Sequence, residues 1–566
     1  MASQLAKDKR KSASTRLSPR VKRTSRIARQ ARTSLILSCI LLTTIVVAAA
    51  VVRLRLRDMP LERDEGEYAY AGQLILQGVP PYTLAYNMKL PGTYLAYAAI
   101  MAAFGQTPTA VHIGLLLVNA LTTVMLFFLA KRVFDATTGI VAAASYAILS
   151  TSPSVLGFAG HATHFVVLVA IGGILLLSRP VEVLKPWQVC GAGGLLGLAF
   201  LMKQPGVFFL LFGAVWLVFK ARPSKSGWRN LAKHFSLFVA AAAVPFALIC
   251  LWMWRAGLFS RFWFWTFTYA RAYGTTIRLD EAPGVFWTQF SGVVRPAVPI
   301  WFLAAFGVFG VLWKHRHSVN SFFVIAFPIF SFLATCPGFY FRQHYFIVLL
   351  PAVSLLAGAA VSISRREFAE RAHLDVLRLL PILLFIVSFG YAVWTQWDFL
   401  FDLDPISACR AEYGLNPFPE AIEIAHYLKT HSSPSSTVAV LGSEPEIYFY
   451  AHRRSATGYI YTYPLMEVQP YAEKMQQEMI SEIERNRPEF MVLVNVPVSW
   501  LIRPGSSPRL LDWAQEYIPE HYQLDERVDI LENSQFRWGN DAVNSQPSSP
   551  YTVRIFKRIA ESRGES

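Results

Sequence analysis

Three carboxylates, Asp64, Glu65 and Glu67, stand close together in the segment RDEGEYAY, shortly after the first long apolar run. A carboxylate held at a membrane surface, near lipid headgroups, is well placed to take a proton from a hydroxyl. The same cluster also reads as a solvated loop start, and residue types alone leave both readings open. A second group with chemical capacity is His161 and His164 in GFAGHATHF, whose i, i+3 spacing puts them on one face of a helix end. They suit phosphate, or a divalent metal held together with Asp64 and Glu65, although two histidines alone make an incomplete ligand set. Neither a Ser/His/Asp arrangement nor a phosphate-cradling glycine-rich loop is recognisable.

The elements that must hold these residues are membrane helices. With 54% hydrophobic and 16% charged residues, the chain is too apolar for a soluble protein whose surface must be solvated. A spanning helix needs about 20 mostly apolar residues, because its backbone polar groups must be satisfied internally. Apolar runs bounded by charge or by Pro and Gly predict about eleven spans: 34–52, 109–130, 139–156, 164–177, 187–202, 205–219, 235–254, 297–313, 321–335, 344–363 and 377–394. The first run is too long for the apolar region of a signal peptide and no small-residue cleavage site follows it, so a retained anchor is expected. The net charge of +16 is concentrated in an arm: residues 1–32 hold eleven Lys and Arg against Asp8 alone, a net of +10 that leaves +6 elsewhere. Such an arm beside an apolar run holds that end in the cytoplasm and touches anionic lipid. Without aromatic interleaving or a fold motif, the charge is not read as nucleic-acid binding.

Orientation follows from the basic loops. With the arm (1–33) inside, alternate loops place Lys131 and Arg132, Arg179 and Lys185, residues 220–233, Lys314 and Arg316, and residues 365–371 inside as well. Segments 53–108, 158–163, 255–296 and 336–343 then face outward. Arg53, Arg55 and Arg57 break the rule, outnumbered by the arm. Within the first outer loop, GEYAYAGQLILQG and PGTYLAYAAIMAAFG carry apolar faces at helical spacing and predict helices lying in the interface. After the core at 34–397 the composition becomes that of a soluble domain, 398–566. NPFPEAIEIAHYLKTH predicts a helix, STVAVLG a buried strand, EPEIYFYA a short helix, VQPYAEKMQQEMISEIERN an amphipathic helix and EFMVLVNV another strand. That alternation predicts a small α/β domain, on the outer side after an odd number of spans. Of the five cysteines only Cys336 and Cys409 are expected on the oxidising side, and a bridge between them is left open.

An Asp-Glu pair after the first span, then a Tyr (Tyr68), a Gly-Pro-rich turn and a Lys-Leu-Pro element at Lys89 before an apolar helix, resembles glycosyltransferase family 39 of the GT-C superfamily. That family includes protein O-mannosyltransferases, and the lipid A aminoarabinose transferase is similar. Lys203-Gln204-Pro205-Gly206 and Arg342-Gln343-His344-Tyr345 also look like recurring elements of its bacterial members. The resemblance implies a polytopic α-helical membrane enzyme with a C-terminal external α/β domain, multi-pass in the bacterial inner membrane with its N-terminus cytoplasmic and that domain periplasmic. It implies an inverting transferase that uses a polyprenyl-phosphate sugar donor at the external face and a glycan, lipid or protein acceptor. On that reading Asp64 is the base that activates the acceptor hydroxyl and Glu65 supports it, with Glu67 and Tyr68 beside the substrate. The leaving lipid phosphate needs cationic or metal stabilisation in a partly dehydrated site; Lys89, Lys203, Arg271, Arg278, Arg342 and His344 are the outward-facing candidates. Relatives commonly carry another acidic residue between the third and fourth spans, where this chain has His161 and His164, so dependence on a divalent metal ion is left undecided.

Each cation has a plainer reading: Lys89 snorkelling from an interfacial helix, Lys203 marking a helix end, Arg271 and Arg278 in a connecting loop. The alternative function is a multi-pass transporter or lipid flippase, but such proteins place ionisable residues near the bilayer midplane on interrupted helices. Here they gather at the outer helix ends and in the loops. A third alternative is a non-catalytic assembly protein displaying its C-terminal domain.

Overall fold

The computed structural model describes residues 19–179, 184–220, 227–314, 319–371, 375–531, 536–539 and 543–559. Residues 1–18 of the basic arm, and Arg222, Lys225 and Arg316 of the basic loops, lie outside the described residues. Numbering the longer helices, the first part of the chain runs α1 (Pro19–Arg55), α2 (Arg63–Leu76), α3 (Gly92–Phe104), α4 (Pro108–Val133), α5 (Ala136–Ser150), α6 (Ala162–Leu177), α7 (Pro186–Met202), α8 (Val207–Lys220) and α9 (Gly227–Arg255). It continues through α10 (Ala282–Val294), α11 (Val298–Lys314), α12 (Val319–Leu333), α13 (Leu350–Arg371) and α14 (Leu380–Trp394). All eleven apolar runs coincide with helices. Among the described residues, four helical stretches, Arg32–Arg55, Pro108–Val133, Arg229–Arg255 and Ala282–Trp313, are long and apolar enough to cross a membrane, and seven shorter apolar helices accompany them.

The three arginines that break the charge rule are partly absorbed by backbone. Arg53 is buried and donates to Ser150 O (2.7 Å), a carbonyl at the end of α5, and to Gly157 O (2.9 Å) in the turn that follows. Arg55 donates to Phe399 O (2.7 Å) and Leu400 O (2.9 Å) and also to Leu403 O, at the bend after α14. Arg57 faces Asp58 at 3.5 Å.

The C-terminal part builds a six-stranded mixed sheet of order β2-β1-β3-β6-β4-β5, with β1 (Thr437–Leu441), β2 (Arg454–Ser455), β3 (Phe490–Asn495), β4 (Tyr522–Ile530), β5 (Phe536–Trp538) and β6 (Thr552–Arg558). β1 pairs in parallel with β2 and β3, whereas β6 runs antiparallel between β3 and β4. Helices α15 (Phe418–His431), α16 (Ala472–Asn486) and α17 (Arg509–His521) cover it. β1, β3, α15, α16 and the short helix Glu446–Ala451 fall where the sequence predicts them. All five cysteines are free, so Cys336 and Cys409 are not bridged.

α2 does not lie open in an interface. Residues Glu65–Leu74 are buried throughout, because the C-terminal domain sits on the helix. Leu61 N donates to Tyr450 Oη (2.8 Å) and Ser455 N to Tyr70 Oη (2.8 Å). Arg63 donates to Ser443 O (2.5 Å) and Glu444 Oε1 (3.0 Å). At Gly66 the approach is closest: an added Cβ would lie 2.6 Å from Glu446 N.

Candidate active site

The start of α2 is fixed by its own acids. The Glu62 carboxylate accepts from Glu65 N (3.0 Å) and Glu65 Oε2 from Glu62 N (3.4 Å), a reciprocal cap that satisfies two otherwise orphaned donors. Glu65 Oε1 accepts from Gly160 N (2.6 Å) and lies 3.2 Å from His112 Nε2. Tyr97 donates to Gly160 O (2.8 Å). The turn before α6 is thereby tied to α2, and His161 stands against Asp64, Nδ1 to Oδ2 3.6 Å.

Asp64 occupies the wall of a cavity of about 190 Å³. Its Oδ1 accepts from Lys89 Nζ (2.8 Å) and Tyr461 Oη (2.7 Å). Lys89 also donates to Glu67 Oε2 (2.6 Å) and lies 4.5 Å from the Tyr68 ring centre. Glu67 is fully buried and further bound by Asn87 Nδ2 (2.8 Å) and Tyr94 Oη (2.5 Å). Burial alone would raise the Asp64 carboxyl, but Lys89, with His161 beside it, holds it well below the usual carboxylate range. Burial dominates at Glu67 and pushes it up despite Lys89. For Lys89, burial works against the ammonium, and Asp64 and Glu67 outweigh it and hold it well above its ordinary value. Lys89 is therefore a cation locked between two carboxylates.

The cavity lining is otherwise rich in cationic and aromatic side chains. α7 ends at Met202, and its C-cap Lys203 turns extended (φ −158°, ψ 138°) before Pro205, a residue with no amide hydrogen to continue the ladder. Gln204 Nε2 donates to Met88 O (2.7 Å) and Thr93 Oγ1 to Met202 O (2.9 Å), which locks this break against the loop carrying Lys89. Lys203 Nζ lies 4.0 Å from the Tyr345 ring centre. Burial, Lys89 and Arg342 bring its ammonium down to about 7, against a partial pull from Asp64. Arg342 packs over the Tyr340 ring at 5.5 Å. Neither Lys203 nor Arg342 has an ion-pair partner among the described residues. His344 stacks on His161, ring centres 4.1 Å apart and planes 12° apart.

The fold thus brings Asp64, Tyr68, Lys89, Lys203, Arg342 and His344 onto one cavity, with His161 against Asp64 and Glu67 behind Lys89. The remaining candidates stand elsewhere. Glu65 points to Gly160, and His164 turns to Asn119 (Nδ1 to Oδ1 3.1 Å); His161 is the non-helical N-cap of α6 (φ −57°, ψ 146°), so the helical i, i+3 spacing expected from sequence does not align the two histidines. Arg271 is exposed, and Arg278, 73% exposed, pairs with Asp280 at 3.0 Å. Sequence reading passed over Tyr461, Tyr463 and Glu467, which reach the cavity from the C-terminal domain, and Tyr269 and Tyr273 from the 255–296 loop. Local sequence gives no signal for the first three, since their partners lie about 200 to 400 positions away.

Asp64, His161 and His344 each offer a ligand atom, all within 4.8 Å of one another. His161 is 2% exposed, and neither of its ring nitrogens has a hydrogen-bond partner among the described residues. Such orphaned nitrogens beside an ionised carboxylate fit a divalent metal ion.

The sequence model of dolichyl-phosphate-mannose-protein mannosyltransferases matches residues 89–254. Among solved structures, ArnT from Cupriavidus metallidurans bound to undecaprenyl phosphate superposes with a TM-score of 0.58 at 14% identity, covering 91% of this chain and 97% of that one. The same enzyme in the apo state gives 0.54 at 15% identity, covering 93% and 98%. The archaeal oligosaccharyltransferase AglB from Archaeoglobus fulgidus, in complex with an inhibitory peptide and a dolichol-phosphate, gives 0.51 at 13% identity, covering 92% and 76%. At these identities the likeness is one of fold. No curated protein sequence matches the chain.

Proposed function

We propose that the protein is an inverting glycosyltransferase that moves a sugar from a polyprenyl-phosphate donor to an acceptor hydroxyl at the external face of the bacterial inner membrane. The observation that carries this reading is one cavity lined both by an ionised Asp64 and by two cations, Lys203 and Arg342, that have no ion-pair partner among the described residues. Lys203 and Arg342 take the donor phosphate, since half-buried cations in a cavity stabilise a leaving oxyanion more than fully exposed ones do. Lys89 then serves Asp64 rather than the phosphate, being already held by two carboxylates.

The acceptor hydroxyl attacks the anomeric carbon on the face opposite the phosphate. The bond from that carbon to the lipid phosphate oxygen breaks, configuration inverts, and the hydroxyl proton passes to Asp64 as the new glycosidic bond forms. Asp64 is held anionic, so it is always in the accepting form, although a carboxylate with so low a pKa is a weak base and takes the proton late in the step. Asp64, His161 and His344 would hold a divalent metal, which would supply Lewis-acid stabilisation of phosphate charge. The tyrosines lining the cavity offer faces for a sugar ring. The acceptor is a glycan, a lipid or a protein.

Incubating the purified protein with a panel of polyprenyl-phosphate sugars and measuring released lipid phosphate tests the reading. Release with at least one donor, dependent on Asp64, supports it; binding without release from any donor overturns it in favour of transport.

A further inference from the structure

Asp64 Oδ1 is saturated by Lys89 Nζ at 2.8 Å and the Tyr461 hydroxyl at 2.7 Å, whereas Oδ2 has no comparably close donor among the described residues, His161 Nδ1 lying 3.6 Å from it. Tyr461 belongs to the C-terminal domain, 397 positions further along the chain. Its side chain is 6% exposed and lines the cavity. The segment that bears it is held rigidly within that domain: Thr462 Oγ1 donates to Ser499 O (3.0 Å), Thr462 N to Ser443 Oγ (3.0 Å) and Tyr459 Oη to Glu478 Oε2 (2.8 Å). From the same stretch Glu467 accepts from Tyr269 Oη (2.6 Å) at the cavity edge. Across the joint, Arg63, the neighbour of Asp64, lies between the rings of Phe418 and Tyr463 at 5.4 and 5.2 Å.

We propose that Tyr461 is a positioning residue for transfer, so that the C-terminal domain completes the active site rather than merely standing over it. Its hydroxyl pins Oδ1 and leaves Oδ2 as the one oxygen of Asp64 presented to substrate. The inference rests on the glycosyl-transfer reading for its kinetics, but the contact itself is testable without any donor.

Tyr461→Phe removes one oxygen and keeps the ring beside Lys89, 5.4 Å away. Turnover of the polyprenyl-phosphate sugar is expected to fall about ten-fold to a hundred-fold, the scale of one hydrogen bond to a charged group, with donor KM within about two-fold of the parent. Tyr427→Phe, which removes a hydroxyl bonded to Asp525 (2.6 Å) in the same domain but away from the cavity and from the segment bearing Tyr461, should leave turnover within about two-fold. Equal loss in both variants, or none in Tyr461→Phe, overturns the positioning role. A cycle of Asp64→Ala, Tyr461→Phe and the double variant, followed by thermal unfolding of the full chain in detergent, should show non-additive shifts; additive shifts overturn the contact. If the parent turns over no donor in the panel, the functional reading fails while the cycle still decides for or against the link between domain and Asp64.

Discussion

Asp64, unlike the other acids of its segment, combines access to the cavity with a firmly ionised state. Glu65 and Glu67 differ from it by position on one helical turn: Glu65 is spent on the Gly160 amide, and Glu67 is sealed behind Lys89. Asp64→Asn keeps the shape and cannot take a proton at neutral pH, so lipid phosphate release should fall about a hundred-fold to ten-thousand-fold with membrane insertion near normal. Glu65→Gln should instead lower the yield and melting temperature of the folded protein, because its loss is felt at the cap of α2 and at Gly160, and should cost turnover less; steady-state assays beside a thermal melt separate the two. Lys203 carries the pH dependence. Its ammonium, brought down to about 7 by burial, is present below that pH and lost as pH rises through it, while donor phosphate pulls the proton back on binding. Donor KM should therefore rise between pH 6 and 9, and Lys203→Met should show a high KM with a flatter profile; an unchanged slope in that variant would move the titration to another group. The residues that sequence reading reached are those whose surroundings are local or repeated in a known motif. Tyr461 and Glu467 were illegible because their meaning comes from contacts hundreds of positions away.

Between residue and molecule stands α2, whose two ends of influence explain why the site needs both parts of the chain. Its Tyr and Ala face reads in sequence as interfacial, and its burial follows from something no periodicity conveys, the seating of Glu446–Ala451 against Gly66. Gly66→Ala would bring a methyl within 2.6 Å of backbone nitrogen, which cannot swing aside as a side chain can. A forced shift of this kind costs on the order of 1–3 kcal/mol. The expected outcome is a lowered melting temperature together with reduced turnover, because the displacement separates Tyr461 from Asp64; full turnover at wild-type stability would show that the joint yields freely. Helices and the inner strands β1 and β3 were legible because they are apolar runs of the right length. β4 was not: in YQLDERVDI charged residues interrupt the pattern, and only the fold reveals that buried Asp529 is matched by Arg527 at 2.8 Å on the same face. β6, TVRIFKR, hides for the same reason.

At the scale of the whole molecule, the question is which side of the membrane the cavity faces, and the fold narrows it to a single choice. Arg53 and Arg55 at the end of α1 reach the turn at Gly157 and the bend at residues 399–403, while Arg63, eight residues on, grips the C-terminal domain. Asp64, the outer end of α14 and the sheet therefore share one side, whichever it is. Charge leads us to expect the outer side. The arm carries a net +10 over residues 1–32, and the three arginines that oppose it are engaged by carbonyls or by Asp58, so their pull on orientation is small. An alkaline phosphatase reporter fused after Ser407 should be active, since that enzyme matures only in the oxidising periplasm, and one fused after Lys225 should be silent. Replacing Arg53 and Arg55 together by Ser should leave both signals in place while lowering the amount of folded protein, because the carbonyls of Ser150, Gly157 and Leu400 lose their donors. Activity after Lys225 and silence after Ser407 would put Asp64 in the cytoplasm, and an enzyme drawing on a periplasmic lipid-linked sugar would have to be given up.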